Sequence, residues 1–520
     1  MANRQTDHLF QLIQALSKSE KRNFRLYAYR SGNTGETKFV RLFDIIDRQS
    51  EYDETQIYLK EPSIKRAQLS NLKAHLYKQI LASLRLLHRN HDQTIQVREN
   101  LDYAKVLYNK GLFRQSLRLL ERTKNQARQS HNTVLILEII EFEKHIECHH
   151  VTHSLPSRAE ELAREASEIH EVANRTAILS NLSLKMYGLF LKAGYIRNEE
   201  DFQGVEEYFY SQLPDYKLES LSFFEKLYYY ESFVWFHYII QDFLMCYKYC
   251  QKWVDLFEET PNVTQVYPDI YIKGIHNLLA TLFNLQHHRK FRETIKKLEA
   301  FGEAESARLS ASDHANLQAY LFTHKINAHF MEGTFSEGVK ALSGLEKSLQ
   351  ELEAMVDINR ITLLRYKLAC LYFGSGNNKK AIGYLNMIIN ERLSEVREDI
   401  HCFARILNLI AHYELGNDSL VDYQIRSVYR FLIKMDNMQE VQKEIFQFLR
   451  NLRRIQRDEI REAFMVLKEK LKILEKDTYL SRPFLYLDII SWLESKIEKL
   501  RVEEVIRKKF LSRQANKHFD

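Results

Sequence analysis

The sequence predicts an all-α fold: a right-handed α-solenoid of antiparallel helix pairs preceded by a small N-terminal helical domain. Three observations lead there. Only 6 prolines and 15 glycines occur in 520 residues, whereas sheets and disordered chains use both freely and long helices with short connections need few. Apolar residues near the N-terminus fall at helical rather than alternating spacing. From about residue 97 onward a spelling recurs with a period of roughly 44 residues.

Residues 1–91 read as a separate basic helical domain. Leu9, Leu12, Ile13 and Leu16 mark a first helix over about residues 6–16. Ser17-Lys18-Ser19-Glu20 has the form of a capping box and opens a second helix, which the Ser31-Gly32-Asn33 cluster closes. Phe39, Leu42, Phe43 and Ile46 mark a third. Asp53 is placed to cap a short fourth, ended by Pro62, and Ser63 to cap a long fifth carrying Leu69, Leu72, Leu76, Ile80, Leu84 and Leu87 on one stripe. This segment holds 16 Lys and Arg against 9 Asp and Glu, a net of +7, while the whole chain is +6. The basic excess is therefore confined to it.

The recurrent spelling runs from a small residue to an apolar one, a turn residue, an aromatic, a second small residue and a leucine. Ala104, Leu107, Gly111, Phe113, Ser116 and Leu120 follow it. So do Ala369, Tyr372, Gly376, Asn378, Ala381 and Leu385, with Asn378 in the aromatic place. The small residues let two helices approach, glycine serves the turn between them, and the aromatic and leucine fill the space between units. No such unit buries its apolar face alone, so units must stack. Turns are expected near 111, 154, 194, 242, 289, 333, 376 and 416. That makes about eight pairs over residues 97–437, with helices of about 18 residues. Residues 197–213 read as an insertion in the third pair. Residues 438–520 continue as helices: a break at Tyr479–Pro483, a capping helix with Leu485, Ile489, Trp492, Leu493 and Ile497, and a mixed-charge tail expected to fray.

At these residues the chain resembles the tetratricopeptide-repeat superfamily, most closely over residues 97–130 and 362–395. Its units are longer than that family's usual repeat of about 34 residues by roughly ten. The resemblance implies that the first helix of each pair lines a concave face that holds a peptide or protein segment. Carried over position by position, that face takes Leu101, Lys105 and Tyr108; Phe283 and Gln286; Tyr320, Thr323, Asn327 and Phe330; and Tyr366, Cys370 and Phe373. Lys105 and Asn327 alone supply groups of the family's carboxylate clamp. The aromatic character suits a partly apolar helix or strand instead. Packing between repeats is the ordinary alternative for the same rings.

Other motifs are weaker. His145, His149 and His153 share a helix face beside Cys148, but without an HExxH spelling they read as a histidine-rich polar face, and no metal is assigned. Cys246 and Cys250 at i, i+4 read as core. Gly374-Ser-Gly376-Asn-Asn-Lys379-Lys380 lacks the strand and the GxxxxGK[ST] order of a phosphate loop, and reads as an inter-helix turn. No nucleophile elbow, kinase set or dinucleotide glycine pattern occurs. No cofactor is expected. Five cysteines give no disulfide framework, no apolar run reaches membrane-spanning length and the start does not read as a signal peptide, so a cytoplasmic location is expected.

The expected function is a non-enzymatic scaffold or adaptor that binds a protein segment along the concave face, through Lys105, Tyr108, Tyr320, Asn327, Phe330, Tyr366 and Phe373. The alternative is a regulator whose basic N-terminal domain contacts nucleic acid. There the break before residue 63 loosely suggests helix-turn-helix geometry, and Lys65, Arg66, Gln68, Asn71 and Lys73 would face phosphates or bases.

Overall fold

A computed structural model describes residues 7–30, 36–89, 92–150, 156–342, 355–391, 398–434, 440–451, 459–476 and 488–516, with isolated residues between these stretches. Helix accounts for 84% of the described residues, and no strand occurs among them. Among the described residues no helix is long and apolar enough to cross a membrane. The chain forms two compact units, Met1–His170 and Glu171–Asp520.

The first unit opens with α1 (His8–Ala15), α2 (Lys18–Arg30), α3 (Glu36–Asp47), α4 (Glu54–Lys60) and α5 (Arg66–His88). The capping box at α2 is complete: Ser17 N–H donates to Glu20 at 2.7 Å and Glu20 N–H donates to the Ser17 hydroxyl at 3.2 Å. Asp53 caps α4 through Thr55 N–H at 2.8 Å. Ser63 does not cap α5. Its hydroxyl donates to Glu61, and the chain enters the helix at Lys65 without a side-chain cap. These five helices share one core, with Ile13, Phe43, Ile46, Leu76 and Ile80 fully buried. Next come α6 (Gln93–Asn109), α7 (Phe113–Gln129) and α8 (Thr133–His149), and α9 (Pro156–Ala193) contributes residues to both units. The repeat spelling does there what its residue sizes require. Ala104 and Ser116 are both fully buried, and the Ser116 hydroxyl donates to the Ala104 carbonyl at 2.8 Å, which only two closely approaching backbones permit.

The second unit continues with α10 (Glu199–Gln212), α11 (Phe223–Ile239), α12 (Phe243–Glu258), α13 (Pro261–Val266), α14 (Pro268–Asn284), α15 (His288–Ala304), α16 (Ala311–Glu332) and α17 (Phe335–Ala341). After them come α18 (Ile358–Gly374), α19 (Asn378–Asn390), α20 (Glu398–Glu414), α21 (Asp418–Lys434), α22 (Glu440–Asn451), α23 (Ile460–Glu475), α24 (Ile489–Glu498) and α25 (Val502–Asn516). Each helix packs chiefly on its chain neighbours. Polar contacts between successive pairs recur at nearly constant sequence separation. Lys273–Glu231 spans 42 residues, His288–Glu332 44, Lys290–Tyr247 43, Arg360–Asn316 44 and Lys367–Asn327 40. The period read from the sequence is therefore the spacing at which one unit touches the next.

The turns share one chemistry. Gly111, Gly333, Gly376 and Gly416 have positive φ, and so do His131, Gln241 and Gln286. The residue after each sends its N–H back five positions, as in Leu112 to Leu107, Asp242 to His237, His287 to Leu282 and Asn377 to Tyr372. This is the Schellman closure, which satisfies the carbonyls a helix end leaves over. In three of these turns the same residue also caps the next helix: Asn132 accepts from Leu135, Asp242 from Met245 and Asn377 from Lys380, whereas Leu112, His287 and Thr334 make no side-chain cap. One short turn thus ends one helix and starts another. The turn expected near 154 lies outside the described residues.

The segment 197–213, expected to be an insertion, contains α10, capped by Asn198 on Asp201 N–H at 2.8 Å and anchored by Phe209, which stacks on Phe236 at 4.3 Å. In α24, the helix expected from the sequence to cap the array, Ile489, Trp492 and Leu493 are buried and the Trp492 indole N–H donates to Glu414 at 2.7 Å. Leu485 and the break at 479–483 lie outside the described residues. The structure differs from the sequence reading after residue 501. Where the sequence predicts a partly frayed tail, residues 502–516 form α25, which buries Glu503, Val505 and Ile506 and packs on α16; residues 517–520 lie outside the described residues.

Candidate binding cleft

The second unit contains a cavity of about 220 Å³. Its wall comes from α9, α11, α14, α16 and α18, with Tyr195 and Asp357 from the connections. From α11 onward these are the leading helices of successive helix–turn–helix pairs. One side is aromatic, formed by Tyr187, Phe190, Trp235, Tyr238 and Phe283; the other carries His276, Asn277, His324, Asn327, Arg360 and Lys367.

The polar side is a connected chain of hydrogen bonds. Lys367 Nζ donates to Asn327 Oδ1 at 2.7 Å. An ammonium can only donate, so this bond fixes the amide orientation and leaves Asn327 Nδ2 toward His324 Nδ1, 3.5 Å away. His324 then carries its proton on Nε2 and donates to His276 Nδ1 at 2.9 Å. His276 keeps Nε2–H as its own donor and lies flat on Tyr320, ring centroids 3.8 Å apart. The Arg360 guanidinium covers the same Tyr320 ring at 4.6 Å and sits 3.6 Å from Asp357. Lys367 lies over the Phe283 and Phe330 rings at 5.5 and 5.8 Å.

Two donors in this wall have no partner. Asn277 Nδ2 and Trp235 Nε1 are buried without a hydrogen bond, in residues 9% and 7% exposed. Buried N–H groups are paired in the great majority of cases, and an orphan costs about 1–3 kcal/mol.

Burial sets the protonation of the histidine pair. His324, 1% exposed, is pushed down to about 3, by burial first and then by the Lys367 charge. His276 is depressed in the same direction by burial and by its neighbours His324, Arg360 and Lys367. Both are neutral at pH 7. A histidine whose folded value lies below its unfolded value of about 6.5 makes the unfolded chain bind more protons. Stability is therefore greatest above about pH 6.5 and falls as pH drops toward 3, by at most about 1.4 kcal/mol per pH unit for one such group. In urea titrations between pH 7 and about 5, above the range where carboxylates dominate, the wild-type midpoint should fall with pH and His324→Gln should flatten the slope. Equal slopes would assign the pH dependence elsewhere.

Of the groove residues expected from the sequence, Asn327, Thr323 and Phe283 line this cavity. Tyr320 is 5% exposed and lies behind His276, while Tyr366 and Phe373 are buried in the core of the second unit and Phe330 stacks on Phe335 at 5.4 Å. Lys105 and Tyr108 belong to the first unit, where the exposed Lys105 ammonium lies over Phe142 and Tyr108 and the Tyr108 hydroxyl meets His145 at 3.1 Å. His149 bonds the His145 carbonyl at 2.8 Å. His153 lies outside the described residues, among which no group of three or more candidate ligands could hold a metal ion. Cys246 and Cys250 are buried thiols grouped around the Thr281 hydroxyl.

In the basic N-terminal helices, Lys65, Arg66, Gln68 and Asn71 are exposed at the start of α5. Arg66 leans over Tyr58 at 5.6 Å. Lys73 is committed internally: it pairs with Asp7, bonds the Tyr52 hydroxyl at 2.7 Å and lies 3.3 Å from Glu54. Those partners raise it above its ordinary value against the opposing effect of burial, while burial and Asp7 push Tyr52 up to about 12.

His276, Asn277, His324, Lys367 and Trp235 were not singled out by sequence reasoning. The available signal was the period: His276 and His324 are 48 residues apart, and Asn327 and Lys367 are 40 apart. Polar residues recurring once per unit on leading helices share a face.

The fold and this cleft define the chain as an all-helical, repeat-like protein. No family model, curated protein or solved structure matches it.

Proposed function

We propose that this chain is a non-enzymatic scaffold or adaptor. In this reading its tetratricopeptide-like repeats form a right-handed solenoid of antiparallel helix pairs, and the leading helices of the second unit capture a segment of a protein partner. The observation that supports it is the composition of the cleft wall: aromatic rings on one side, amides and cations on the other. Rings take the apolar side chains of a strand or of a helix face, and amides take the backbone hydrogen bonds of an extended segment.

Site-specific photo-crosslinking tests this. A photoreactive residue at Asn284 or Leu363, both in the cleft wall, should label one protein partner in the native cell. The label should survive nuclease treatment and moderate salt. The same residue at Leu244, 68% exposed on α12, should not label that partner. Equal labelling from Leu244 would move the surface elsewhere. Loss of the partner with nuclease and salt would shift the working end to Lys65, Arg66, Gln68 and Asn71, because phosphate contacts weaken steeply with salt.

A further inference from the structure

The geometry points to the cavity of the second unit as a binding site for a small aromatic carboxylate, held by its ring against Trp235 and Phe283 and by its charge among Asn277, Arg360 and Lys367. The inference rests on the same cleft as the proposed capture of a protein segment and names a small ligand class for its cavity. Three observations carry it.

The first is the orphan donors. Asn277 Nδ2 and Trp235 Nε1 are more than nine-tenths buried and unpartnered, and both residues line one cavity. Neither group stabilises the empty protein. Trp235 Nε1 is a donor in any rotamer and the Asn277 amide presents its nitrogen as placed; both atoms have essentially no open surface, so a ligand acceptor reaches them only after a small turn of the side chain.

The second is charge. Two cations, Arg360 and Lys367, lie in the wall with one carboxylate, Asp357. The tautomers fixed by Lys367 and Asn327 give His276 a further N–H rather than an acceptor. A wall rich in donors and net positive complements a carboxylate, which offers two oxygens and no hydrogen.

The third is size and surface. An apolar cavity of about 150 Å³ holds a benzene ring. The 220 Å³ here leaves room for a ring with a short acidic arm. Trp235, Phe190 and Tyr238 already pack against one another, with the Phe190 and Trp235 rings stacked at 5.4 Å and Tyr238 edge-on to both. That gives a flat ring a preformed surface to lie on.

Phenylacetate serves as the probe, with uncharged phenylacetamide as its isostere, on the 520-residue chain. Millimolar phenylacetate should raise the melting temperature and quench tryptophan fluorescence. The quench is attributable to Trp235, since Trp253 and Trp492 do not line the cavity. Phenylacetamide should bind roughly tenfold or more weakly. The decisive variant is Asn277→Leu, close in size but without the orphan donor. It should melt no lower than wild type in the absence of probe and lose roughly tenfold or more in affinity for phenylacetate. Lys367→Met should weaken phenylacetate and leave phenylacetamide unchanged. No response of wild type to phenylacetate overturns the assignment. So does equal binding of the two probes, or an Asn277→Leu variant that binds as wild type. Asn284 and Leu363 line the same cavity, so the crosslinking is run without phenylacetate; its failure with the probe outcomes intact sinks the protein-capture reading alone.

Discussion

Replacing Lys124 by alanine is expected to destabilise the first unit by about 3–5 kcal/mol, the cost of stranding a buried charge. Lys124 is 1% exposed on α7 and its ammonium gathers three carboxylates: Glu143 at 2.7 Å, Glu165 at 3.1 Å and Glu121 at 3.3 Å. Glu143 is fully buried on α8, and its second oxygen has no partner. Burial pushes the Glu143 carboxyl above its ordinary value, with the Lys124 bond and charge only partly opposing it. On Lys124 the balance reverses: burial pulls it down, but Glu143 and Glu165 win and hold it above its ordinary value. Removing the ammonium leaves Glu143, among the described residues, with Arg158 alone as a cation, 3.8 Å away.

Hydrogen exchange is the suitable readout because it resolves one unit from the other. Amides of residues 113–149 should exchange faster by roughly two orders of magnitude or more, with the second unit unchanged. Lys124→Met combined with Glu143→Leu should recover much of the protection, since an apolar pair of similar volume avoids the desolvation penalty. If the single variant exchanges like wild type, the network adds no stability. If the double variant is no better than the single, volume rather than charge decides the site.

That network also shows where reading the sequence stops. Glu121-Arg122-Thr123-Lys124 looks like a solvated charged face. What buries Lys124 is its placement toward α8 and the start of α9, and that placement depends on residues 19 and 41 positions later. Local signals were legible for the opposite reason. The Ser17–Glu20 box closes within four residues, and glycines such as Gly111 and Gly376 announce a positive φ by their identity. His131, Gln241 and Gln286 adopt the same conformation without announcing it, because the Schellman bonds and the cap that follows hold them there. The cleft divides the same way. The resemblance brought Asn327, Thr323 and Phe283 to attention because it selects the leading helix of a unit. It could not supply His276, Asn277 or Lys367, whose roles come from neighbouring units about one period away.

Gly333 is where a single added methyl should have the most selective effect. It has φ +64, and a Cβ built there would lie 2.3 Å from the Arg507 backbone nitrogen, 2.8 Å from the Arg507 Cα and 2.9 Å from the Glu503 carbonyl oxygen. Backbone cannot yield as a side chain does, so Gly333→Ala must displace α25. The substitution also carries the left-handed penalty of about 1–2 kcal/mol. The displaced helix would lose the bonds of Glu503 to the Ser336 N–H and hydroxyl at 3.0 and 2.7 Å, and of Arg507 to the Glu332 carbonyl at 3.1 Å. It would also lose the packing of Phe510 edge-on to His288 at 4.9 Å. Gly376 is the matched control. Its φ is +84, but no heavy atom lies within 4 Å of its built Cβ, so Gly376→Ala incurs backbone strain alone. Limited proteolysis should cut the Gly333→Ala chain within residues 500–516 well before wild type, while Gly376→Ala is cut at the wild-type rate there despite a lower melting temperature. Wild-type resistance of α25 in Gly333→Ala would mean that the helix is held by contacts other than its seat on the 332–336 turn.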